Sequence, residues 1–350
     1  MILSFAPMEG VTGAAFRRVH RRLFPEADRY YAPFLAPDAQ GRCKQSHWRA
    51  LLPEANASVP LVPQILTNSA PAFLAAARAL AELGYTEVDL NAGCPSGTVV
   101  SKHKGAGLLG DPSSLDAFLD EVFQNAPVAV SVKTRLGLGS AADFPALLAV
   151  YRRYPLAELI VHARDRAGMY RSACDRAAFA EALEDAPWPV CWNGDVFRAE
   201  DCRALRGEFS VLERVMLGRG AVSDPALFRE IGGGAPLDRE ELCAFHDELL
   251  EELLQEGLPP VFIPPRMKEL WFYWACLFPG ADKLLKAMKK SRDLPAYRSA
   301  AAAIFESAAF DPKARFGSCP RHPADAWSGA RDDRTRRVDR PGSVPCPSRR

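Results

Sequence analysis

The chain has 350 residues, of which 48% are hydrophobic and 25% charged, an ordinary composition for a globular protein. Residues 311–350 carry ten basic and five acidic side chains, which leaves 34 of the 44 basic and 38 of the 43 acidic residues in 1–310. A body with this small acidic excess can bind a polyanion only through a local basic patch. The nine cysteines form no CxxC pair, which disfavours a disulfide framework and a zinc site and indicates a reducing compartment.

The N-terminal sequence MILSFAPMEG has neither the basic stretch nor the long apolar stretch of a secretory signal. The most apolar helical segment, residues 270–278, is too short to cross a bilayer. We therefore expect a cytoplasmic protein without a membrane partner. We also expect a monomer that binds no metal.

Eight short apolar segments in the first two-thirds of the chain each end in polar, Gly or Pro residues, as strands buried on both faces do. Helix-like segments lie between most of them, and the clearest are 70–83, 114–124 and 144–153. This alternation predicts the α/β class and parallel βαβ units that close into a (β/α)8 TIM barrel. The predicted strands are 2–6, 30–35, 61–66, 87–91, 128–134, 159–163, 190–193 and 214–217.

Polar residues follow seven of these eight predicted strands. The carboxyl ends of the strands of a (β/α)8 barrel lie on one face, and that face carries the active site. We therefore expect the polar segments to come together there. They are 7–9, Gln64, 91–96, 133–135, 162–166, 193–195 and 218–220.

After residue 231 the pattern changes to four helix-like segments, 238–254, 265–277, 281–290 and 295–310. The glycines at 232–234 and Pro236 mark a linker. The sequence thus predicts a barrel domain over 1–231 and a small C-terminal helical domain over 237–310. Residues 312–350 are rich in Pro, Arg, Asp, Ser and Gly, which predicts a disordered tail.

The last two predicted strands are followed by Asn193-Gly194-Asp195 and by Gly218-Arg219. Barrel enzymes commonly form a phosphate site at these two positions from the backbone N–H groups of the loops. Gly218 allows close approach of the backbone, and Arg219 can add a charge-assisted contact. Each segment alone also suits an ordinary turn, but together they predict a phosphate-bearing cofactor.

Lys133 and His162 each lie at the end of a predicted strand. A buried ammonium group needs a partner. For Lys133 an anionic reduced flavin would supply one, and a salt bridge to Asp89 or Asp195 is the alternative. His162 could donate a proton, bind phosphate or have only a structural role.

Cys94 lies in DLNAGCPS, where Gly93 and Pro95 fix a turn at the end of the fourth predicted strand. Most cysteines pack as small hydrophobic residues, and we expect this of Cys43, Cys191, Cys202, Cys243 and Cys276. A core position would not require a Gly-Cys-Pro turn. No Ser/His/Asp order or cysteine-protease signature accompanies Cys94, which favours general acid catalysis over nucleophilic attack.

These segments together resemble the tRNA-dihydrouridine synthase family over about residues 3–310. The resemblance is carried, in order, by APMEGVTG, PQIL, DLNAGCPSGTVVSKHKGAGLL, VSVKTRLG, LIVHARDRAGMYR, NGDV and VMLGRGA. It implies an FMN barrel and a helical RNA-binding domain that reduce the C5=C6 bond of selected tRNA uridines with NADPH. Within the family, the segment APMEG is most similar to that of the bacterial C-type branch, whose members modify uridine 16 in the D-loop.

The resemblance also implies residue roles. Cys94 would protonate C5 while flavin N5 delivers hydride to C6, and Asn91 would contact the edge of the uracil, which must first leave the RNA stack. The residues expected to line the flavin ring are Pro7, Met8, Glu9 and Gln64, with Lys133 and His162 at its polar edge and phosphate side. Those expected to hold the phosphate are Asn193, Gly194, Asp195, Gly218 and Arg219.

Residues 266–292 contain seven basic and two acidic side chains, and RMKELWFYW matches the second-domain helix of the family. This pattern predicts a surface for RNA phosphates, with a merely solvated helix face as the alternative. The family usually has Lys three residues after the catalytic cysteine, where this chain has Gly97. The residues expected to contact RNA are Lys102 and Lys104, in place of that lysine, together with Arg266, Lys268, Lys286, Lys289 and Lys290.

Two other functions fit parts of the pattern. Another FMN barrel, such as a dihydroorotate dehydrogenase or a 2-hydroxy-acid oxidase, would explain the flavin residues but not the basic helical domain. A catalytically silent tRNA-binding protein would not require Cys94, Lys133 and His162 together.

Overall fold

The computed structural model describes residues 1–38, 40–184, 186–314, 316–318 and 343–344. Nine parallel strands form one sheet that curls into a nearly closed barrel, which confirms the predicted (β/α)8 fold. The strands are β1 (Ile2–Phe5), β2 (Arg29–Tyr31), β4 (Leu61–Val62), β5 (Gln64–Ile65), β6 (Glu87–Ala92), β7 (Ala129–Arg135), β8 (Leu159–His162), β9 (Val190–Asn193) and β10 (Arg214–Leu217), and a short β3 (Cys43–Lys44) lies outside this sheet.

The barrel closes at Pro63, which separates β4 from β5. Proline has no N–H group to donate to a neighbouring strand, so the predicted strand 61–66 is divided into two short pieces. β4 pairs with β2, and β5 pairs with β6. The carbonyl oxygen of Pro63 still accepts a hydrogen bond from the amide of Asp89 at 2.8 Å. The two pieces therefore join the ends of the sheet, and the ring counts as eight strands.

Two of the long barrel helices begin at side-chain caps. The hydroxyl of Ser69 accepts from the amide of Ala72 at 3.4 Å at the start of α3 (Ala70–Glu82), and the carboxylate of Asp111 accepts from Ser113 at 3.1 Å at the start of α5 (Pro112–Asn125). The three clearest predicted helices are present as α3, α5 and α6 (Phe144–Tyr151). The barrel helices are α1 (Ala14–Leu23), α2 (Gln45–Arg49), α3 (Ala70–Glu82), α4 (Gly97–Val100), α5 (Pro112–Asn125), α6 (Phe144–Tyr151), α7 (Arg176–Leu183), α8 (Ala199–Glu208), α9 (Arg219–Ser223) and α10 (Leu227–Ile231).

Four further helices follow at the predicted places: α11 (Arg239–Gln255), α12 (Ile263–Trp274), α13 (Asp282–Lys290) and α14 (Leu294–Ser307). They share one continuous hydrophobic core with the barrel. Phe245 of α11 contacts Phe16 of α1 edge to face at 5.3 Å between ring centroids. The indole N–H of Trp274 donates to the carbonyl of Val222 at 2.9 Å. The helical region thus packs directly on the barrel, and its folding as a separate domain over 237–310 stays a prediction.

Most of the predicted tail, 312–350, lies outside the described residues. Phe316 is buried, with its ring 5.0 Å from that of Tyr273 and 6.2 Å from that of Phe197. Residues β11 (Ser343–Val344) pair antiparallel with β3. At these two places, therefore, the chain beyond the helical region contacts the folded body.

An ionic cluster fills the barrel at the amino ends of the strands. The carboxylate of Glu158, which is 1% exposed, accepts from the guanidinium of Arg29 at 3.1 Å and from the hydroxyl of Tyr31 at 2.9 Å. Arg29 also pairs with Glu87 at 2.5 Å, and Arg214 lies 3.5 Å from Glu158. Removing one partner from such a cluster leaves the opposite charge uncompensated inside the protein.

We expect Glu158→Gln to lower the free energy of unfolding by about 3 kcal/mol, because two arginines lose their shared buried carboxylate. Chemical denaturation monitored by circular dichroism would measure this. The control is Glu200→Gln, which removes a surface pair with Arg203 whose side chains are 67% and 63% exposed and should leave stability unchanged. Equal effects of the two substitutions would show that the cluster is not a stabilising element.

Candidate active site

The carboxyl ends of the strands form an open cleft of about 550 Å³, counting its mouth. The structure brings nine of the eleven predicted cofactor residues to this cleft. Glu9 is exposed, and Gln64 is buried inside the barrel. The nine lining residues are Pro7, Met8, Lys133, His162, Asn193, Gly194, Asp195, Gly218 and Arg219.

Lys133 extends from β7 to the cleft and donates from Nζ to Oδ1 of Asn193 at 2.8 Å. The amide of Asn193 donates in turn to the carbonyl of Met216 at 2.8 Å, which fixes its orientation. Burial, together with the nearby charge of Arg135, lowers the pKa of Lys133 to about 8. Within the described part of the chain, Lys133 makes no salt bridge. The ammonium group can therefore pair with an anion in the cleft.

Asp195 lies between two arginines at one end of the cleft. Oδ1 of its carboxylate accepts from Nη2 of Arg219 at 2.8 Å and from Nη1 of Arg164 at 3.2 Å. With Lys133, this gives three cationic side chains and one carboxylate around the same cleft. Among the described residues, Asp195 forms its salt bridges with these two arginines and not with Lys133, which was the alternative partner. The excess positive charge suits a phosphate group.

Two glycines keep the backbone open at this end. A Cβ at Gly194, where φ is +143°, would lie 2.5 Å from the sulfur of Cys174, so no side chain fits there. A Cβ at Gly218 would point towards Ala6 at 3.4 Å and the sulfur of Met8 at 3.7 Å, both of which line the cleft. Because Gly218 lacks a side chain, that space is left open to a ligand.

His162 is buried beside Lys133, and its Nε2 lies 3.2 Å from Nη1 of Arg164. A guanidinium group can only donate, so Nε2 accepts and the ring proton lies on Nδ1. Burial lowers the pKa of His162 well below its ordinary value, and the charges of Arg135 and Lys133 act in the same direction. A neutral imidazole is a poor acid at neutral pH, which leaves His162 a positioning or ligand-binding role.

The turn that carries Cys94 is held by Asn91. Oδ1 of Asn91 accepts from the backbone amides of Gly93 at 3.1 Å and Cys94 at 2.9 Å. Its Nδ2 donates to Oε1 of Gln64 at 2.8 Å. Both ends of the Asn91 amide are thus engaged within the protein, and its predicted contact with the uracil stays a prediction.

Cys94 is half-buried under the segment after α4. A Cβ at Gly105, where φ is +57°, would lie 2.9 Å from Cβ of Cys94, so this segment passes close to the thiol. Burial raises the pKa of the Cys94 thiol, partly opposed by the amide of Ser96. The thiol therefore keeps its proton at neutral pH and can act as an acid.

One side of the cleft is aromatic, a feature that no pattern in the sequence indicates. Tyr170 lines it, and the ring lies 4.5 Å from the guanidinium carbon of Arg219 and 5.3 Å from that of Arg135. Phe197 also lines it, 5.5 Å from Arg219. These aromatic residues lie in irregular loops, where no periodicity distinguishes a ligand-facing ring from a packed one.

The predicted RNA residues differ in their surroundings. Nζ of Lys268 donates to the carbonyls of Lys289 at 3.2 Å and Ser291 at 2.5 Å, so this side chain caps the end of α13. Nζ of Lys104 donates to the carbonyl of Pro37 at 3.4 Å. The other predicted residues are exposed, namely Lys102, Arg266, Lys286, Lys289 and Lys290.

Cys43, Cys191, Cys202 and Cys276 are buried as expected, whereas Cys243 is half-buried. Among the residues that the structure describes, no group of three or more His, Cys, Asp or Glu side chains could hold a metal ion. No helix in the same part of the chain is long and apolar enough to span a membrane.

Comparison with known proteins assigns the family. The family model described as dihydrouridine synthase matches residues 4–254. The chain is 32% identical to the tRNA-dihydrouridine(16) synthase of Pseudomonas putida over 307 residues, which cover 84% of this chain and 94% of that protein. It is 29% identical to the tRNA-dihydrouridine synthase B of Pseudomonas aeruginosa over 304 residues, 84% of this chain and 90% of that protein.

Among solved structures, the old yellow enzyme from Trypanosoma cruzi superposes with a TM-score of 0.48 at 10% identity, over 67% of this chain and 89% of that one. This likeness is too weak to add to the assignment, which depends on the family model and the curated relatives. The chain belongs to the dihydrouridine synthase family.

Proposed function

We propose that this protein is a tRNA-dihydrouridine synthase that reduces the C5=C6 bond of a uridine in tRNA, with FMN as its flavin and NADPH as the reductant. The observation that carries the proposal is the turn that Asn91 holds around the half-buried thiol of Cys94, in a chain that belongs to this family. Membership of this family disfavours the other FMN barrel enzymes. A catalytically silent tRNA-binding protein would differ from the proposed enzyme in forming no dihydrouridine.

The residues of the cleft fit a flavin mononucleotide. The phosphate would lie at the open backbone of Gly194 and Gly218 with Arg219 beside it, where cationic side chains outnumber carboxylates. Pro7 and Met8 offer an apolar wall for the ring, and Lys133 would face its polar edge. The chemistry that a bound flavin supplies is transfer of hydride to C6 of the uracil, with electrons taken from NADPH.

Cys94 would complete the reduction by giving its proton to C5. Hydride addition at C6 places negative charge on C5 and the C4 carbonyl, and a nearby acid must neutralise it. Because burial raises the pKa of the thiol, the proton is present at neutral pH. The resulting thiolate regains a proton from solvent, which Cys94 can reach because it is half-buried. His162 is neutral at the same pH, so it does not compete as the acid.

For the position of the uridine we propose 16 in the D-loop. The relative named for that position is 32% identical to this chain over 94% of its own length, slightly closer than the relative named synthase B. The test is to incubate the purified protein with FMN, NADPH and unmodified tRNA and to map dihydrouridine. Dihydrouridine at 16 supports the full proposal, formation elsewhere rejects only the position, and no dihydrouridine rejects the activity.

We expect Cys94→Ala to reduce dihydrouridine formation by about 100-fold or more, the typical contribution of a positioned general acid. Flavin content and NADPH oxidation in the absence of tRNA should be retained, because the cofactor cleft is intact. The control is Cys243→Ala, a half-buried cysteine of α11, which should behave as the unmodified protein. Near-normal turnover of Cys94→Ala would remove its role as the acid.

We expect alkylation of Cys94 by iodoacetamide to follow a pH midpoint above that of a free peptide containing NAGCPSG. Only the thiolate reacts, and burial raises the pKa of this thiol, so the midpoint should move above the reference of about 8.5. Mass spectrometry of Cys94 from pH 6 to 11, roughly spanning both thiols, gives the two midpoints. A midpoint below that of the peptide would indicate an activated nucleophile instead of an acid.

We expect charge reversal of Lys286, Lys289 and Lys290 to glutamate to weaken tRNA binding and to make its salt dependence shallower. If all three contact phosphates, the slope of log K against log salt should change by up to about 2.7. A matched control reverses Arg78, Arg203 and Arg206, which are exposed on α3 and α8. If both triple variants change the slope equally, the patch on α13 is not the RNA surface.

A further inference from the structure

A chain of hydrogen bonds inside the barrel leads from Asp89 to the Cys94 turn. Oδ2 of Asp89, whose side chain is fully buried, accepts from Nε2 of Gln64 at 2.7 Å. Oε1 of Gln64 accepts from Nδ2 of Asn91 at 2.8 Å. Oδ1 of Asn91 accepts from the backbone amide of Cys94 at 2.9 Å. All three side chains of this hydrogen-bond chain are buried, with at most 8% of each exposed.

Donors and acceptors can be arranged along this hydrogen-bond chain in only one way, beginning at Asp89. An ionised Asp89 can only accept, and a protonated Asp89 with its proton on Oδ1 still accepts at Oδ2, so Gln64 presents its NH₂ group to Asp89 and its carbonyl oxygen to Asn91. Asn91 must then present its own NH₂ group to Gln64 and its carbonyl oxygen to the turn. With Asn91 reversed, its NH₂ group would face the N–H groups of Gly93 and Cys94, which are donors themselves. With Gln64 reversed alone, its NH₂ group would face that of Asn91.

We propose that Asp89 is a positioning residue for the reaction: its carboxyl group fixes the orientation of the Gln64 and Asn91 amides and, through them, the place of Cys94. This inference rests on the proposed role of Cys94 as the acid. Asp89 is fully buried and does not line the cleft, so its effect would pass through the two amides. A small displacement of an acid from its acceptor is sufficient to slow proton transfer strongly.

The same chain holds whether or not Asp89 is ionised. Burial raises the pKa of Asp89 to about 8, opposed by the hydrogen bonds from Gln64 and Ser131. The hydroxyl of Ser131 donates to Oδ1 of Asp89 at 3.0 Å, and a hydroxyl can rotate to accept instead. A proton on Oδ1 is therefore accommodated by Ser131, and Oδ2 remains the acceptor for Gln64.

The test compares Asp89→Leu, which removes the acceptor and keeps the branching at Cγ, with Asp89→Asn, which can still present an oxygen to Gln64 and its amide to Ser131. In the holoenzyme, we expect Asp89→Leu to lower kcat for dihydrouridine formation by about 10-fold to 100-fold, with KM for tRNA within about twofold. We expect Asp89→Asn to restore most of the rate. An unchanged kcat in Asp89→Leu, or equal losses in both variants, would overturn the inference.

A second measurement needs neither turnover nor tRNA. Alkylation of Cys94 should be faster in Asp89→Leu than in Asp89→Asn and in the unmodified protein, because the turn is released. If the unmodified protein makes no dihydrouridine, the proposed function fails, and the alkylation contrast still decides whether Asp89 positions Cys94. Equal alkylation in all three proteins contradicts the inference even where the activity is present.

If Asp89→Leu does not fold, the unmodified protein provides the answer. With ¹⁵N-labelled glutamine and asparagine, the side-chain amide protons of Gln64 and Asn91 should exchange with solvent far more slowly than those of exposed amides. Slow exchange at both side chains supports a fixed chain. Exchange as fast as that of exposed amides shows that the amides are not locked and rejects the proposal.

Discussion

The register of the parallel strands is the constraint on which the site depends. Gln64 is opposite Asp89, Asn91 is opposite Lys133, and His162 is opposite Asn193. Side chains alternate between the two faces of a strand, so Asp89 and Asn91 both face the barrel interior. A slip of one residue in any of these pairs would turn the corresponding side chain to the helices. Closure of the ring at Pro63 holds β5 beside β6 and thereby makes the Gln64–Asp89 pair possible.

Burial then decides which groups of the site carry charge. It raises the pKa of Asp89 and Cys94 and lowers that of His162 and Lys133, in each case towards the neutral form. The guanidinium groups remain charged because the reference pKa of arginine is very high. At neutral pH this leaves Arg219 and Lys133 as cations of the cleft, while His162 and the thiol of Cys94 are neutral.

The strands and helices could be predicted closely because each follows from local patterns: apolar segments ended by polar residues, and caps such as Ser69 and Asp111. The contacts between distant segments could not. Gln64, for example, is buried against Asp89 because β5 pairs with β6, and neither segment alone indicates that pairing. Its expected contact with the flavin stays a prediction. Lys268 binds the carbonyl groups at the end of α13, which is a contact of the tertiary fold. Its expected contact with RNA phosphates stays a prediction. Tyr170 lies in a loop without a repeating pattern.

The net charge of the protein is small, but it does not indicate which charged side chains are paired and which are free to act on a ligand. Acidic residues of α11 face arginines of α1: Glu252 pairs with Arg18 at 2.7 Å, and Glu248 pairs with Arg22 at 2.6 Å. These pairs place negative charge at the seam between the helical region and the barrel, where it is neutralised. On α13, by contrast, Lys286, Lys289 and Lys290 are exposed and join no ion pair within the described residues. The potential felt by an approaching polyanion depends on such unneutralised charge more than on the total. A chain with a formal charge of only +1 can therefore still have a local basic surface on α13, because several of its carboxylates are paired with arginines between α1 and α11.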